Sequence, residues 1–359
     1  MRKSLNKLRK HIDVLDKNIV RLLNRRARLA LAIGQVKNHA RSEIYVPSRE
    51  KVIIGNIAKS NQGPLPFSAL ASIYREIMSA SLALENDVKV AYLGPPATFS
   101  HQAAIRRFGA SVSYLSCETI DDVFDRVQRG EANYGVVPSE NSTEGAVAST
   151  LDRLTDTPLK ICAEIYQPVS LCLLSSGRRG GIRHIMSIPI VFGQCRKWLR
   201  SEIPGAELLP VASTARAAEM ASKNKRTGAI AGRLAAELYS LKILNSDIQD
   251  ISGNMTRFLV IGKSFGSRTG DDKTSLLFSV KHKAGSLHAA LGSLKKYKLN
   301  MTKIESRPNR LKAWEYLFFV DIEGHVEDKK VQKALRDLDR HCILLAILGS
   351  YPRALEMVG

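Results

Sequence analysis

The sequence predicts three units in series: an all-helical unit, an alternating α/β unit and a compact α+β unit. Three observations carry this reading. Residues 1–86 hold helical periodicity and no strand pattern. Strand and helix patterns alternate from Val88 to residue 263. The remainder runs in the order βαββαβ, a ferredoxin-like scheme. At a typical ~100–200 residues per domain, 359 residues accommodate two or three domains.

The first element is the clearest. Leu5, Leu8, Ile12, Leu15, Ile19, Leu22, Arg26, Leu29, Ile33 and Val36 alternate steps of three and four. This is a heptad seam on one helix about 50 Å long. Such a seam needs a partner along its length. Shorter helices are expected over 47–59 and 67–86, separated by the turn Gly63-Pro64-Leu65-Pro66. One long and two short helices make a thin core, so a second copy is expected to complete it.

Further on, Lys89–Leu93 reads as a strand, Thr98–Phe108 as a helix, Val112–Leu115 as a strand, Ile120–Arg129 as a helix and Tyr134–Val137 as a strand. Continued alternation predicts an α/β unit with a largely parallel sheet. Residues 266–272 read as a linker. In the tail, Thr274–Lys281, Asn300–Ser306, Trp314–Ile322 and Ile343–Leu348 read as strands, with helices over Ser286–Tyr297 and Asp328–Arg340. The expected domains are 1–87, 88–266 and 272–359.

Hydrophobic residues at 44% and charged residues at 25% are those of a globular chain. No apolar run approaches the ~20 residues of a membrane span, and the start has no signal-like apolar core. Five scattered cysteines without a CxxC pair argue against a disulfide framework or zinc site, and a cytoplasmic location is expected. The formal charge is +20, and residues 1–60 alone hold 15 Lys/Arg against 4 Asp/Glu. Such charge attracts polyanions and small dianions alike. A single aromatic, Tyr45, in that stretch gives base stacking little support, so nucleic acid is the weaker partner class.

Arg26 stands alone among aliphatic seam positions. A buried guanidinium is costly unless it meets an anion. It is either a register-setting residue paired with an acid or part of an anion site within the bundle. Arg9 and Lys37 lie 28 residues apart at equivalent heptad positions and would join it in the second case. Gly262-Lys263-Ser264 lacks the earlier glycine of a phosphate loop, because Arg257 stands there. The histidines show no metal-ligand spacing, and Ser100-His101 reads as a helix start.

Three sets of motifs in fixed order then resemble known families. Leu8-Arg9, Leu15-Asp16, Arg25-Arg26, Lys37 and Arg49-Glu50 resemble the helical chorismate mutase family. Ala91-Tyr92-Leu93-Gly94-Pro95, residues 137–142, Gln194-Cys195, Ser213-Thr214-Ala215 and Thr256-Arg257-Phe258 resemble prephenate dehydratase. Glu305-Ser306-Arg307-Pro308 and Gly349-Ser350-Tyr351-Pro352 resemble an ACT regulatory domain. The resemblance covers nearly the whole chain. It implies a two-lobed, periplasmic-binding-protein-like middle domain and a cofactor-free, homodimeric enzyme of phenylalanine biosynthesis with dianionic substrates.

For the mutase, the resemblance implies that Arg9 of the other subunit, Arg26 and Arg49 bind carboxylates. Lys37 meets the ether oxygen, Glu50 the hydroxyl, and Ser81 and Glu85 come from the third helix. A glutamate facing the ether oxygen donates only when protonated, so mutase activity is expected to fall at alkaline pH. For the dehydratase, it places Thr256 at the reacting centre, supported by Glu140, Asn141, Ser142, Ser213 and Thr214. Arg257 is a carboxylate clamp or a structural ion pair. The effector phenylalanine would meet Gly285, Leu287, Glu305, Ser306, Arg307 and Pro308.

The chain departs from the family pattern at four places. Val46 stands where relatives often have Asp. Ala97 replaces a glycine in the Gly94-Pro95-Pro96 loop and is strained if that position has positive φ. Ile188 and Ile190 replace His and Gln in a Ser-His-Pro-Gln segment and are expected to reshape the cleft between lobes. Ser286 and His288 make the effector loop more polar and larger, so feedback inhibition is expected to weaken.

Overall fold

The computed structural model describes residues 2–39, 46–309 and 315–354, with side chains described over 4–36, 46–309 and 315–354. The chain forms two compact units, one reaching Val88 and including Phe108–Ser113, the other holding the rest.

The first unit is built on α1 (Arg2–His39), α2 (Pro47–Ser60) and α3 (Phe67–Glu85). Pro47 opens α2 where its missing N–H costs nothing. Helices α1 and α3 approach closely at Gly34, where an added Cβ would lie 3.0 Å from Glu85 Cγ. The seam of α1 is bare. Its nine aliphatic positions from Leu5 to Val36 are 49–70% exposed.

The second unit starts with β1 (Lys89–Leu93), α4 (Phe99–Phe108), β2 (Ser113–Cys117), α5 (Ile120–Arg129), β3 (Tyr134–Asn141), β4 (Gly145–Ala146), α6 (Ala148–Arg153) and β5 (Lys160–Pro168). Thr119 caps α5 in a full capping box with Asp122, and Gly130 ends it in the left-handed region. A second lobe follows with β6 (Cys172–Ser175), β7 (His184–Ser187), α7 (Pro189–Gln194), α8 (Arg196–Glu202), β8 (Glu207–Pro210), α9 (Thr214–Ser222), β9 (Thr227–Ala231), α10 (Arg233–Leu238) and β10 (Lys242–Asn245). Strand β11 (Met255–Gly262) returns to the first lobe. The chain thus crosses between lobes twice. The tail adds β12 (Asp272–Val280), α11 (Ser286–Lys296), β13 (Met301–Pro308), β14 (Tyr316–Glu323), α12 (Lys329–Asp339) and β15 (Cys342–Pro352). Trp314, expected to begin a strand, lies outside the described residues.

The expected largely parallel sheet is corrected to a mixed one. The second lobe has order β10-β6-β9-β7-β8, in which β7 runs parallel to β9 and β8 while β6 runs antiparallel to β10 and β9. In the first lobe β11 runs antiparallel to β3 and β5, because it enters from the other lobe. The segment read as a linker is a tied turn: Asp272 Oδ2 accepts from the N–H groups of Thr269 and Gly270.

First-lobe and C-terminal strands form one sheet of ten, ordered β13-β14-β12-β15-β5-β11-β3-β1-β2, with β4 on β3. The joint is a single parallel pairing, Gly349 with Ile161. An added Cβ at Gly349 would lie 2.1 Å from the Ile161 carbonyl oxygen, so only glycine fits. Leu317, Phe319, Leu348 and Tyr351 share a core with Val123, Phe124 and Ile261. The opposite face of the C-terminal sheet has its own core, including Leu276, Phe278, Leu294, Val331 and Leu335.

Candidate active sites

In the helical unit, Arg26 Nη1 donates to Ser81 Oγ (2.5 Å), which donates to the Ile77 carbonyl (2.8 Å). The serine is buried and the arginine half-buried. The hydroxyl holds the guanidinium without neutralising it, which leaves charge for an anion. Glu85, one turn beyond Ser81, packs at Gly34 on the same α1–α3 face. Arg9 and Arg49 are exposed, and Glu50 is half-buried. The side chain of Lys37 lies outside those described.

Where the two lobes meet, the side chains around Asn141 form a hydrogen-bonded network. Thr256 on β11 pairs in register with Asn141 on β3. Asn141 Nδ2 donates to Thr256 Oγ1 (2.8 Å) and to Asn254 Oδ1 (2.9 Å). Asn141 Oδ1 accepts from the Thr143 N–H (2.9 Å), the Thr143 hydroxyl (2.6 Å) and the Glu144 N–H (3.2 Å). These partners fix which way the amide points. Since the threonine oxygen accepts, its proton is free to donate elsewhere. Ser142 Oγ donates to Asn254 Oδ1 (3.4 Å) and accepts from the Met255 N–H (3.0 Å). From the second lobe, Gln194 Nε2 reaches Thr143 Oγ1 and Glu144 Oε1 at 3.4 and 3.3 Å. Ser213 caps α9 by accepting from the Arg216 N–H, and Thr214 beside it is buried.

Strand alternation turns Glu140 and Arg257 to the face opposite Asn141 and Thr256. Arg257 was open between a carboxylate clamp and an ion pair, and the structure holds the ion pair. Its guanidinium meets Glu164 (2.9 Å), Asp321 (2.6 Å) and the Tyr351 hydroxyl (2.9 Å), all buried. Burial alone would lower the arginine's pKa, but Tyr351, Asp321 and Glu164 raise it well above its ordinary value. Lys273 Nζ completes the cluster against Glu164 at 2.8 Å. Glu140 Oε2 accepts from Lys303 Nζ (2.7 Å) of the C-terminal sheet.

The departures sort by place. Ala97 has φ +68, so the loop strain expected of a non-glycine residue is present. Ile188 is half-buried against the second-lobe core, whereas Ile190 is exposed. His101, in the first turn of α4, accepts from the Ala97 N–H at Nδ1 and stacks on Tyr92. Cys195 of the Gln194-Cys195 motif is inert, because burial pushes its thiol up to about 12.

In the C-terminal domain, Gly285 has φ +81 and caps α11, Leu287 packs on the domain core, and His288 is exposed. A surface pocket of about 360 Å³ is lined by Lys281, Ser286, Leu287, Tyr316 and Phe318, among others. Ser306 and Pro308 on β13 are exposed and pair with Phe318 and Tyr316, while Glu305 and Arg307 face the other way. Arg307 Nη2 lies 3.2 Å from Asp152 Oδ1 of the first lobe.

Sequence reasoning missed Asn254, Glu164, Lys273, Asp321 and Lys303. A signal was present for two of them: Glu164 and Asp321 are each the lone internal charge of an apolar strand, as Arg257 is. Lone charges of opposite sign in buried strands must find each other. Among the described residues no cluster of three or more His, Cys, Asp or Glu is arranged to hold a metal, and no helix is long and apolar enough to cross a membrane.

A helical unit with an arginine on its seam, a two-lobed α/β cleft and a ferredoxin-like sheet joined to it define a multidomain, small-anion enzyme with a regulatory module. Family models for chorismate mutase type II, prephenate dehydratase and the ACT domain match residues 8–86, 90–265 and 274–340. The chain is 49% identical to a bifunctional chorismate mutase/prephenate dehydratase of Aquifex aeolicus, over 98% of both chains. It is 43% identical to that of Neisseria gonorrhoeae, over 96% of both. Among solved structures, the prephenate dehydratase of Arthrobacter aurescens in complex with L-Phe aligns with TM-score 0.69 and 32% identity, over 74% of this chain and 90% of that one. The chain belongs to the bifunctional chorismate mutase/prephenate dehydratase family.

Proposed function

We propose that this protein rearranges chorismate to prephenate in its helical unit and converts prephenate to phenylpyruvate in its cleft, as a step of phenylalanine biosynthesis. The observation that carries the cleft reading is the Asn141–Thr256 contact. Prephenate loses its ring carboxylate as carbon dioxide. The electron pair aromatises the ring and expels the hydroxyl, which leaves as water after taking one proton. Thr256, with its oxygen already accepting from Asn141, directs its O–H at the departing oxygen; solvent makes up the proton. Ser213 and Thr214 supply further hydroxyls, and Ser142 holds Asn254 behind Asn141.

The rearrangement of chorismate needs no covalent step. It needs a dianion held in a compact conformer with charge stabilised on the breaking ether bond. Arg26, held by Ser81, is suited to one carboxylate. Arg9, Lys37, Arg49, Glu50 and Glu85 complete the set. The bare seam of α1 supports a homodimer, in which a second copy covers the exposed leucines and isoleucines. A cytoplasmic location fits its free cysteines. L-phenylalanine is the proposed effector of the C-terminal domain, with Gly285, Leu287, Ser306 and Pro308 on its side of β13; Glu305 and Arg307 lie on the other face, where Arg307 pairs with Asp152.

The test supplies purified protein with chorismate alone and follows prephenate and phenylpyruvate. Phenylpyruvate forming faster than prephenate decays unaided supports both activities. Prephenate accumulating without it would remove the dehydratase half of the reading.

A further inference from the structure

Four charged residues close a ring between the dehydratase lobe and the regulatory sheet. Glu140 pairs across strands with Arg257, and Lys303 pairs across strands with Asp321. Lys303 Nζ then meets Glu140 Oε2 at 2.7 Å, and Arg257 Nη1 meets Asp321 Oδ2 at 2.6 Å. Signs alternate around the ring, so each member is attracted to both neighbours. Two members belong to each domain. The two dehydratase members are the immediate chain neighbours of Asn141 and Thr256, which are themselves a cross-strand pair.

The two interdomain links differ in kind. Arg257 and Asp321 are buried, and Arg257 is also held by Glu164 and Tyr351. This link is a fixed pivot. The Lys303–Glu140 link is wetter, with side chains 13% and 40% exposed, and among the described residues it is a single ion pair. Lys303 sits on β13, the edge strand of the sheet, which is hydrogen-bonded on one side only. It is two residues from Glu305, on the same face of that strand.

We propose that Lys303 is a positioning residue for the dehydratase reaction: acting through Glu140, it sets the place of the Asn141–Thr256 pair, so that the regulatory sheet controls the geometry of the cleft floor. The inference rests on the assignment of Asn141 and Thr256 to the dehydratase site. A small displacement of β13 moves the Lys303 ammonium, Glu140 follows, and the next peptide carries Asn141. An effector bound on β13 changes activity to the extent that it binds differently with the ring closed and open.

The full-length protein carries the test, with mutase activity as the internal control. Lys303→Met keeps the aliphatic stem and removes the charge. Its dehydratase kcat falls by between about twofold and about thirtyfold, the span of coupling from positions that do not touch substrate. KM and the mutase rate stay near wild type. Lys303→Arg restores kcat. The double variant Lys303→Met/Glu140→Gln is no slower than Glu140→Gln alone, because Glu140 is the group the lysine ion-pairs with, whereas Asp321 is already held by Arg257. A Lys303→Met protein with wild-type kcat, or a double variant whose losses multiply, overturns the proposal. Thr256→Val is measured beside them. Should it keep full dehydratase activity, the site assignment falls and the proposal with it; if it is inactive while Lys303→Met is silent, only the coupling fails.

Discussion

Arg257 Nη1 and Asp321 Oδ2 lie 2.6 Å apart, buried, where the regulatory sheet meets the dehydratase lobe. Together with Lys273 and Glu164 they make a balanced set of two cations and two anions. Removing one anion leaves a buried positive charge uncompensated. Asp321→Asn is therefore expected to cost about 3–5 kcal/mol of stability. Thermal unfolding of the full chain measures it, and a Tm within a degree of wild type would contradict the balance argued here. Burial alone would raise the Asp321 carboxyl, but Arg257 beside it holds it below the ordinary carboxylate range. Its contribution is thus present above its unfolded pKa and fades as acid protonates it.

Asn141→Asp isolates the cleft chemistry. The substitution keeps shape but replaces the amide donor by an oxygen that accepts. The Thr256 hydroxyl then donates to the carboxylate and is withdrawn from the leaving group. Loss of one preorganised donor costs about 10²–10³ in kcat. Dehydratase turnover should fall by that factor with the mutase rate intact; a loss confined to KM would assign Asn141 to binding only.

Arg26→Lys tests the bundle in the same way. A guanidinium donates to Ser81 and to a carboxylate at once through its planar fork; an ammonium is a point charge on a flexible stem. The mutase kcat/KM is expected to drop by about a hundredfold, matching a lost bidentate contact. The dehydratase, assayed with prephenate supplied directly, should not change.

Much of this was legible because periodicity and motif order are local properties. The bundle helices were readable to within a few residues, and Thr256 and Asn141 came from short motifs whose residues meet. Ala97 was expected to be strained if its position had positive φ, and its φ is +68. The charged ring was not legible. Its members come from four strands, and which lone charge pairs with which depends on how two sheets fuse. Arg257 is the instructive case: its motif left a substrate clamp and a structural ion pair both open, and strand alternation, which turns it away from Thr256, decides for the ion pair. The sheet was misjudged as largely parallel because alternation of strand and helix says nothing of a strand that returns from another lobe.

His101 gives the fold a predictable acid sensitivity. Burial lowers its pKa below 6.5, and its Nδ1 accepts from the Ala97 N–H, which requires the neutral ring. In the unfolded chain the imidazole takes a proton near its ordinary value; in the fold it does so only at lower pH. The unfolded state binds more protons in that window, so stability falls as pH drops below about 6.5. Melts at about pH 7.5 and about pH 5.5 should show the loss. His101→Asn, whose Oδ1 accepts the same N–H without titrating, should show a smaller one. An unchanged slope in the variant would clear His101 of the effect.

Gly349 decides whether the two domains share a sheet. Its pairing with Ile161 is the only register point between β15 and β5, and a methyl group there would stand 2.1 Å from a backbone carbonyl that has nowhere to go. Gly349→Ala must push the strands apart, at a cost of about 1–3 kcal/mol for forced overpacking. The neighbouring Tyr351, buried between Arg257 and Ser275, moves with the strand, so the charged cluster loosens too. The expected result is a lower Tm together with faster proteolysis across residues 263–271, the connection that the fused sheet protects. The mutase rate, generated in a separate unit, stays constant. A lower Tm without the change in proteolysis would place the damage elsewhere than at the joint.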